Sequence, residues 1–411
     1  MDSSDFLTMD DFDLAGKTVL LRVDINAPAK DGKIQVSDRM VEHAKTISEL
    51  SRKGAKVVVL GHQGRAGETD FLPLEEHAAI LSKLLKRRVK YVDDVLGSHA
   101  RTEVKKLSPG KIILLENLRF LAEETLEVPP EEHAKSFLVK VLSSQANVFV
   151  NDAFSVSHRA QASVVGFPEV MPSCAGRIME KEYYSLIKAT SQGRTPVVYV
   201  LGGAKADDCF NLMKNALEKK NVNLVLTSGV LGELLLIASG ADLKATQVWL
   251  EKEGFTKLLP RIKEVYGKYS TQIILPSDFA CEENGERIEI PLERLADVKK
   301  PVFDIGSATA EHYAAAIGDA GTVYFKGPCG TYENPLFEKG TKLVLKAIER
   351  GKAFSIMGGG HTLDALESLG INKNKISHIS VAGGALLSFL SGEPLPGIEA
   401  LKKAKARGNS K

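Results

Sequence analysis

Short apolar runs bounded by glycine or polar residues alternate with stretches of helical periodicity along almost the whole chain, and nothing else constrains the fold so strongly. This is the spacing of βαβ units, which build parallel sheets covered by helices. In the first half, strands are expected at Val19 to Asp24, Lys56 to Leu60, Val89 to Val92, Lys111 to Leu115 and Asn147 to Val150. In the second half they are expected at Val197 to Leu201, Leu224 to Thr227, Gln272 to Leu275, Val302 to Ile305, Thr322 to Phe325, Ala353 to Met357 and His378 to Val381. Two sheets follow. Between them Ile178, Tyr183, Leu186 and Ile187 recur near helical spacing from Arg177 to Ala189, before Ser191, Gly193 and Pro196 break the pattern. Clean helices flank it, with Met40, Ala44, Ile47 and Leu50 closing at Gly54, and Phe210, Met213 and Leu217 after Gly202 and Gly203.

At about 150 residues per domain, a chain of 411 residues holds two or three domains. The fold expected is α/β, with two doubly wound, Rossmann-like parallel-sheet domains joined by an interdomain helix and hinge. The boundaries expected are 1–175, a helix and hinge over 176–195, 196–390, and a segment 391–411 that could return to the N-terminal domain. Its end, Leu401 to Lys411, is basic and reads as a solvated tail.

With 44% hydrophobic and 26% charged residues, the chain has the balance of a soluble globular protein, which sets aside disordered, collagenous and membrane classes. The formal net charge of +2 gives no bulk electrostatic case for nucleic acid or a membrane surface as partner. Cys174, Cys209, Cys281 and Cys329 lie far apart, without the C-x-x-C pairs of zinc or redox sites, and fit a reducing cytosol. The N-terminus is acidic where a signal peptide would be basic, and no apolar run reaches the roughly 18 residues a membrane span needs. A cytoplasmic protein is expected.

In open α/β sheets, ligands sit beyond the carboxyl ends of the strands. The first-half strands are followed by Asp24-Ile25-Asn26, Gly61-His62-Gln63-Gly64-Arg65, Glu116-Asn117-Leu118-Arg119 and Asn151-Asp152, with Arg159 downstream and Arg39 opening a helix. Guanidinium forks bind carboxylate and phosphate bidentately, so Arg39, Arg65, Arg119 and Arg159 together would make a pocket for a small, multiply anionic molecule. Singly, each reads as well as a solvated surface charge; four at homologous ends of one sheet weigh against that. Asp24 and Asn26, two apart on an extended segment, share a side and could fix hydroxyl groups. His62 alone reads as structural; beside Arg65 the two readings balance.

The second-half strands end in glycine: Gly202-Gly203-Ala204-Lys205, Pro276-Ser277-Asp278, Gly327-Pro328-Cys329-Gly330, Gly358-Gly359-Gly360-His361 and Ala382-Gly383-Gly384. Glycine-rich turns let backbone N–H groups approach phosphate oxygens at a helix N-terminus, as Gly358 to Gly360 and Gly383-Gly384 could, although either turn could simply tighten a βα connection. Lys205 could hold a charge on a transferring phosphoryl group or be a surface lysine. Glu333 could accept from ribose hydroxyls. The acidic stretch Glu123 to Glu132 reads as a solvated loop or helix face. No G-x-x-x-x-G-K-S/T, no G-x-G-x-x-G after a strand and no H-E-x-x-H is present, and the nine histidines show no ligand spacing, so no metal-ligating residue is assigned.

In order along the chain stand RVDINAP (Arg22 to Pro28), GHQGR (Gly61 to Arg65), LENLRF (Leu115 to Phe120), NDAF (Asn151 to Phe154) with His158-Arg159, LGGAK (Leu201 to Lys205), GPCGTYE (Gly327 to Glu333) and GGGHT (Gly358 to Thr362). With these motifs the sequence resembles the phosphoglycerate kinases over nearly its whole length, and most the archaeal form. The resemblance implies that the N-terminal domain binds 3-phosphoglycerate or 1,3-bisphosphoglycerate through Asp24, Ile25, Asn26, Arg39, His62, Gln63, Gly64, Arg65, Arg119 and Arg159. It implies that the C-terminal domain binds ATP or ADP, carried with Mg2+, through Gly203, Ala204, Lys205, Pro328, Glu333, Gly358, Gly359, Gly360, His361 and Thr362. Arg39 and Lys205 match the family's charge stabilisers, hinge closure joins the two domains, and a monomer or weak homo-oligomer is expected.

Departures cluster in the nucleotide half. Cys209 stands where many members carry a second lysine and His361 where bacterial and eukaryotic forms usually have aspartate, two positions at which archaeal members also vary, and Lys326 where asparagine is common; Ser228, Glu233 and Ala382 replace an expected glycine, asparagine and glycine. They bear on nucleotide affinity, nucleotide preference and metal placement. A degenerate kinase-like protein with a regulatory or scaffolding role and a two-domain binding protein for an anionic metabolite are the alternatives to an active kinase.

Overall fold

The computed structural model describes residues 5–191 and 194–408. The chain forms two compact units, Met1–Tyr184 with Pro394–Lys411, and Ser185–Glu393. Residues 192–193, within the hinge expected over 176–195, lie outside the described residues.

The first unit is built on a six-stranded sheet in the spatial order Val89–Val92, Ile112–Leu115, Lys56–Leu60, Thr18–Arg22, Val148–Asn151, Ser173–Ala175, with every pair parallel. Strands buried on both faces read as continuous apolar runs, and Thr18–Arg22, Ile112–Leu115 and Val148–Asn151 are buried at every position. The helix Asp38–Arg52 shows how the cover is made. Ser37 caps it by accepting from the Met40 N–H at 3.4 Å, and Met40, Ala44, Ile47 and Leu50 enter the core on one face. The strand order reverses beside Thr18–Arg22, where ligands of such sheets bind.

The second unit repeats the plan with a six-stranded parallel sheet ordered Ile273–Ile274, Leu224–Thr227, Val197–Leu201, Thr322–Lys326, Phe354–Gly358, His378–Ser380. Numbered in chain order this is 3-2-1-4-5-6, with its switch point between Val197–Leu201 and Thr322–Lys326.

Three expectations need correction. The described residues form four sheets, not two. The run at Val302 to Ile305 contributes only Asp304–Ile305 as strand, and it pairs antiparallel with Asp278–Glu283 in a three-stranded side sheet completed by Glu286–Pro291. The basic tail is not simply solvated: in the helix Pro396–Gly408, Ile398 and Leu401 are buried, Ala400 packs with Ala153, Val156, Val164 and Val165, and the Gly397 N–H donates to Ser157 O at 2.9 Å. Its cations stay on the rim, where Lys403 pairs with Glu131 and Glu169 at 2.8 and 3.0 Å.

Candidate active site

In the first unit the site begins where Thr18–Arg22 ends. Asp24 is buried. It accepts from Arg39 Nη1 at 3.0 Å, from the Ser155 hydroxyl, and from the Asn26 N–H at 3.0 Å. Burial alone would raise its pKa, but the Arg39 guanidinium and the Ser155 hydroxyl hold the carboxyl well below the usual carboxylate range. Asp24 is therefore a fixed negative charge that aims Arg39, whose side chain keeps a third of its surface exposed.

The remaining arginines act on one another at close range. Burial first, and then the charges of Arg159, Arg22 and Arg65, push the Arg119 pKa down to about 10. Burial and the Arg65 charge lower that of Arg159 in the same way. None of Arg65, Arg119 and Arg159 has a carboxylate within 4.0 Å among the described residues. Like charges held this close repel one another, and a multiply charged anion among them would offset that repulsion.

Short-range contacts hold the cluster in place. Arg119 Nη1 donates to Gly64 O, and the Gly64 N–H donates to Asn26 Oδ1 at 2.8 Å. Gly64 has φ +65°, and a Cβ there would lie 2.2 Å from Asp70 O, so no other residue makes this turn without rearrangement. Gln63 turns inward, accepting from the Ala27 N–H and donating to Ala27 O, both at 2.9 Å, with a further bond to Asp70 O at 3.2 Å. The Ile25 side chain is fully buried in the core. Of the residues named from the sequence, Asp24, Asn26, Arg39, His62, Gly64, Arg65, Arg119 and Arg159 line one site. Gln63 and Ile25 shape it from beneath.

The sequence reading missed three members. Arg22, fully buried, donates through Nη2 to His62 Nδ1 at 3.1 Å. Asn117, also fully buried, ties two loops together by donating to Gln63 O and Leu72 O at 2.8 and 2.9 Å. Glu124 belongs to the stretch expected to be solvated, but it is 0% exposed and lies 3.6 Å from Arg22. Its neighbour Glu123 accepts from the N–H groups of Phe137 and Leu138 at 2.7 and 2.9 Å, capping a helix.

In the second unit the loops after the two switch-point strands cross backbone on backbone. A Cβ on Gly202 would lie 2.4 Å from Pro328 O, and one on Gly327 would lie 2.2 Å from Gly202 O. Missing side chains on both loops permit the approach. The Gly327 N–H donates to Thr362 Oγ1 at 3.1 Å, which joins this crossing to the start of the helix Gly360–Ser368. Gly359, at φ +102°, makes the turn into that helix. Ala204, Lys205, Gly360 and His361 are exposed along the loop ends, and His361 Nδ1 lies 4.0 Å from Glu333 Oε1.

The departures have structural places. Cys209 is buried and donates its thiol to Gly202 O at 3.4 Å, and burial pushes its pKa up to about 11, so it is a scaffold group without charge. The Ser228 hydroxyl donates to Leu201 O at 3.4 Å, 2.5 Å from where a Gly202 Cβ would sit. Lys326 reaches Asp208 at 3.3 Å. Ala382 is buried and exchanges hydrogen bonds with Ser380 Oγ at 3.1 and 3.2 Å.

The family model described as phosphoglycerate kinase matches residues 9–393. The chain is similar to the phosphoglycerate kinase of Methanothermus fervidus, 43% identical over 98% of both chains, and to that of Saccharolobus solfataricus, 45% identical over 96% of both. Among solved structures, phosphoglycerate kinase from Pyrococcus horikoshii superposes with a TM-score of 0.88 at 40% identity, covering 98% of this chain and 99% of that one. The Coxiella burnetii phosphoglycerate kinase gives 0.81 at 31% identity, covering 97% and 100%.

Proposed function

The chain belongs to the phosphoglycerate kinase family, and from that premise we propose how its two units divide the reaction. It is a phosphotransferase of glycolysis, moving a phosphoryl group reversibly between 1,3-bisphosphoglycerate with ADP and 3-phosphoglycerate with ATP. The first unit binds the phosphoglycerate: Arg65, Arg119 and Arg159 take its phosphate and carboxylate charge, while Asn26, Asp24 and His62 orient it. The second unit binds the nucleotide along Gly203 to Lys205, Pro328, Glu333 and Gly358 to Thr362. The observation that carries this division is the group of mutually repelling guanidiniums beyond the first sheet, none with a carboxylate within 4.0 Å among the described residues.

Transfer is in line, without a covalent enzyme intermediate. Arg39, aimed by Asp24, steadies the transferring group from the phosphoglycerate side. Lys205 and the amides at Gly359 to His361 steady it from the nucleotide side. Direct transfer needs both ligands within bonding distance, so hinge-bending is part of the proposal, and it keeps water from competing. Mg2+ would be carried by the nucleotide and would offset phosphate charge during the transfer. Among the described residues no three carboxylate, imidazole or thiol side chains gather as a ligand set. A cytoplasmic setting fits the four free cysteines, and no helix among the described residues is long and apolar enough to cross a membrane.

Titration calorimetry of the full chain tests the division. Arg65→Ala should weaken 3-phosphoglycerate binding about thirtyfold, the loss of one charge-assisted contact worth about 2 kcal/mol, and leave Mg-ADP affinity unchanged. Unchanged 3-phosphoglycerate affinity would remove Arg65 from the site.

A further inference from the structure

Four segments far apart in sequence bring Arg22, His62, Glu124 and Ser163 together in one buried cluster, with Arg22, Glu124 and Ser163 fully inaccessible and His62 nearly so. Glu124 sits in the 3-10 turn Ala122–Thr125. Its Oε2 accepts from the Ser163 N–H at 2.9 Å and its Oε1 from the Ser163 hydroxyl at 2.5 Å. Arg22 Nε donates to the same hydroxyl at 2.8 Å, Nη1 donates to Val23 O, and Nη2 lies 3.6 Å from Glu124 Oε1. The guanidinium is thus held on two sides, and an N–H of Nη2 points at His62 Nδ1, 3.1 Å away.

A guanidinium has donors and no acceptor. His62 Nδ1 must therefore accept and carries no proton. The ring is neutral, and its one proton lies on Nε2, the atom 3.9 Å from Asp24 Oδ1. Arg22, Asp24, Arg119 and Arg159 are the charged groups acting on the ring; burial and then Arg22 lower its pKa well below the ordinary imidazole value, Asp24 opposes, and Arg119 and Arg159 add to the lowering.

We propose that Glu124 is a positioning residue of the phosphoglycerate site, fixing Arg22 so that Arg22 locks His62 as a neutral Nε2–H donor toward the anionic substrate. Without its carboxylate partner a fully buried guanidinium reorients toward the nearest acceptors. The ring then loses the donor that selects its tautomer. Only donors at Nε2 suit an anionic ligand, so substrate affinity falls without a change on the nucleotide side. This inference rests on the assignment of His62 to the phosphoglycerate site.

The test uses the full chain labelled with 15N-histidine, with His62 signals identified by their loss in His62→Asn. In the parent protein at neutral pH the spectra should show a bare Nδ1 and a protonated Nε2. Glu124→Gln, and independently Ser163→Ala should the first fail to fold, should give a mixed tautomer. Each should raise the KM for 3-phosphoglycerate about fivefold or more, with that for Mg-ATP within about twofold. A protonated Nδ1 in the parent protein overturns the proposal even if neither variant folds. A variant that keeps both the tautomer and the KM overturns it too. Failure of 3-phosphoglycerate to shift the His62 signals of the parent protein would instead refute the site assignment on which the inference rests.

Discussion

Replacing Lys205 with alanine is expected to lower turnover about a thousandfold, on the order of 4 kcal/mol of barrier, while changing the KM for 3-phosphoglycerate by less than about threefold. Lys205 follows the strand Val197–Leu201 and the turn at Gly203, φ +77°, and stands at the N-cap of the helix Ala206–Glu218. The two carboxylates nearest in sequence are Asp207 and Asp208, and Asp208 is engaged by Lys326 at 3.3 Å. No ion pair holds Lys205 among the described residues, and its side chain is exposed at the tip of the strand beside the switch point. A fixed cation at the positive end of a helix acts where charge develops on a transferring phosphoryl group, and this electrostatic term is where phosphoryl transfer gains most. Steady-state kinetics in both directions would measure the effect. Turnover within a few-fold of the parent protein would exclude Lys205 from the mechanism.

Glu233→Gln is expected to stabilise the second unit at alkaline pH by a similar amount. Glu233 lies in the helix Gly229–Ser239, buried, with no hydrogen-bond partner for Oε2 among the described residues. Burial pushes its pKa up to about 8. The unfolded chain releases this proton near the ordinary glutamate value of 4.5 and the folded chain holds it, so stability falls as pH rises from that value through 8, then levels off. The accumulated cost at pH 8 is on the order of 4 kcal/mol, and glutamine, which never ionises, does not incur it. Denaturant unfolding of both proteins should show nearly equal stability at pH 5 and a clear advantage for Glu233→Gln at pH 8. Parallel pH dependence in the two would show that Glu233 is ionised in the folded state.

Both strand frameworks were legible because a strand buried on both faces must be a continuous apolar run, as KVVVL at Lys56–Leu60 and VVYVL at Val197–Leu201 are. The arginine tips were legible for a related reason: whatever follows such a run stands at the sheet's ligand-binding edge. The hairpin of Asp278–Glu283 and Glu286–Pro291 was not, because its second strand, ERIEIP, is largely exposed and charged and lacks a buried run. Glu124 was hidden by its context. Inside an acidic stretch nothing local separates one buried carboxylate from its solvated neighbours, and its partners Arg22 and Ser163 are remote in sequence. Gln63 and Ile25 sit among ligand-facing residues in their motifs, yet extended backbone alternates side chains between faces, and theirs turn inward.

The most direct measurement supplies the chain with 1,3-bisphosphoglycerate and Mg-ADP together and follows ATP in a coupled assay. One ATP should form for each acyl phosphate consumed, and Mg-ATP offered without 3-phosphoglycerate should remain intact. Acyl phosphate that disappears without ATP, or Mg-ATP hydrolysed in the absence of the acceptor, would contradict direct transfer between ligands held by the two units.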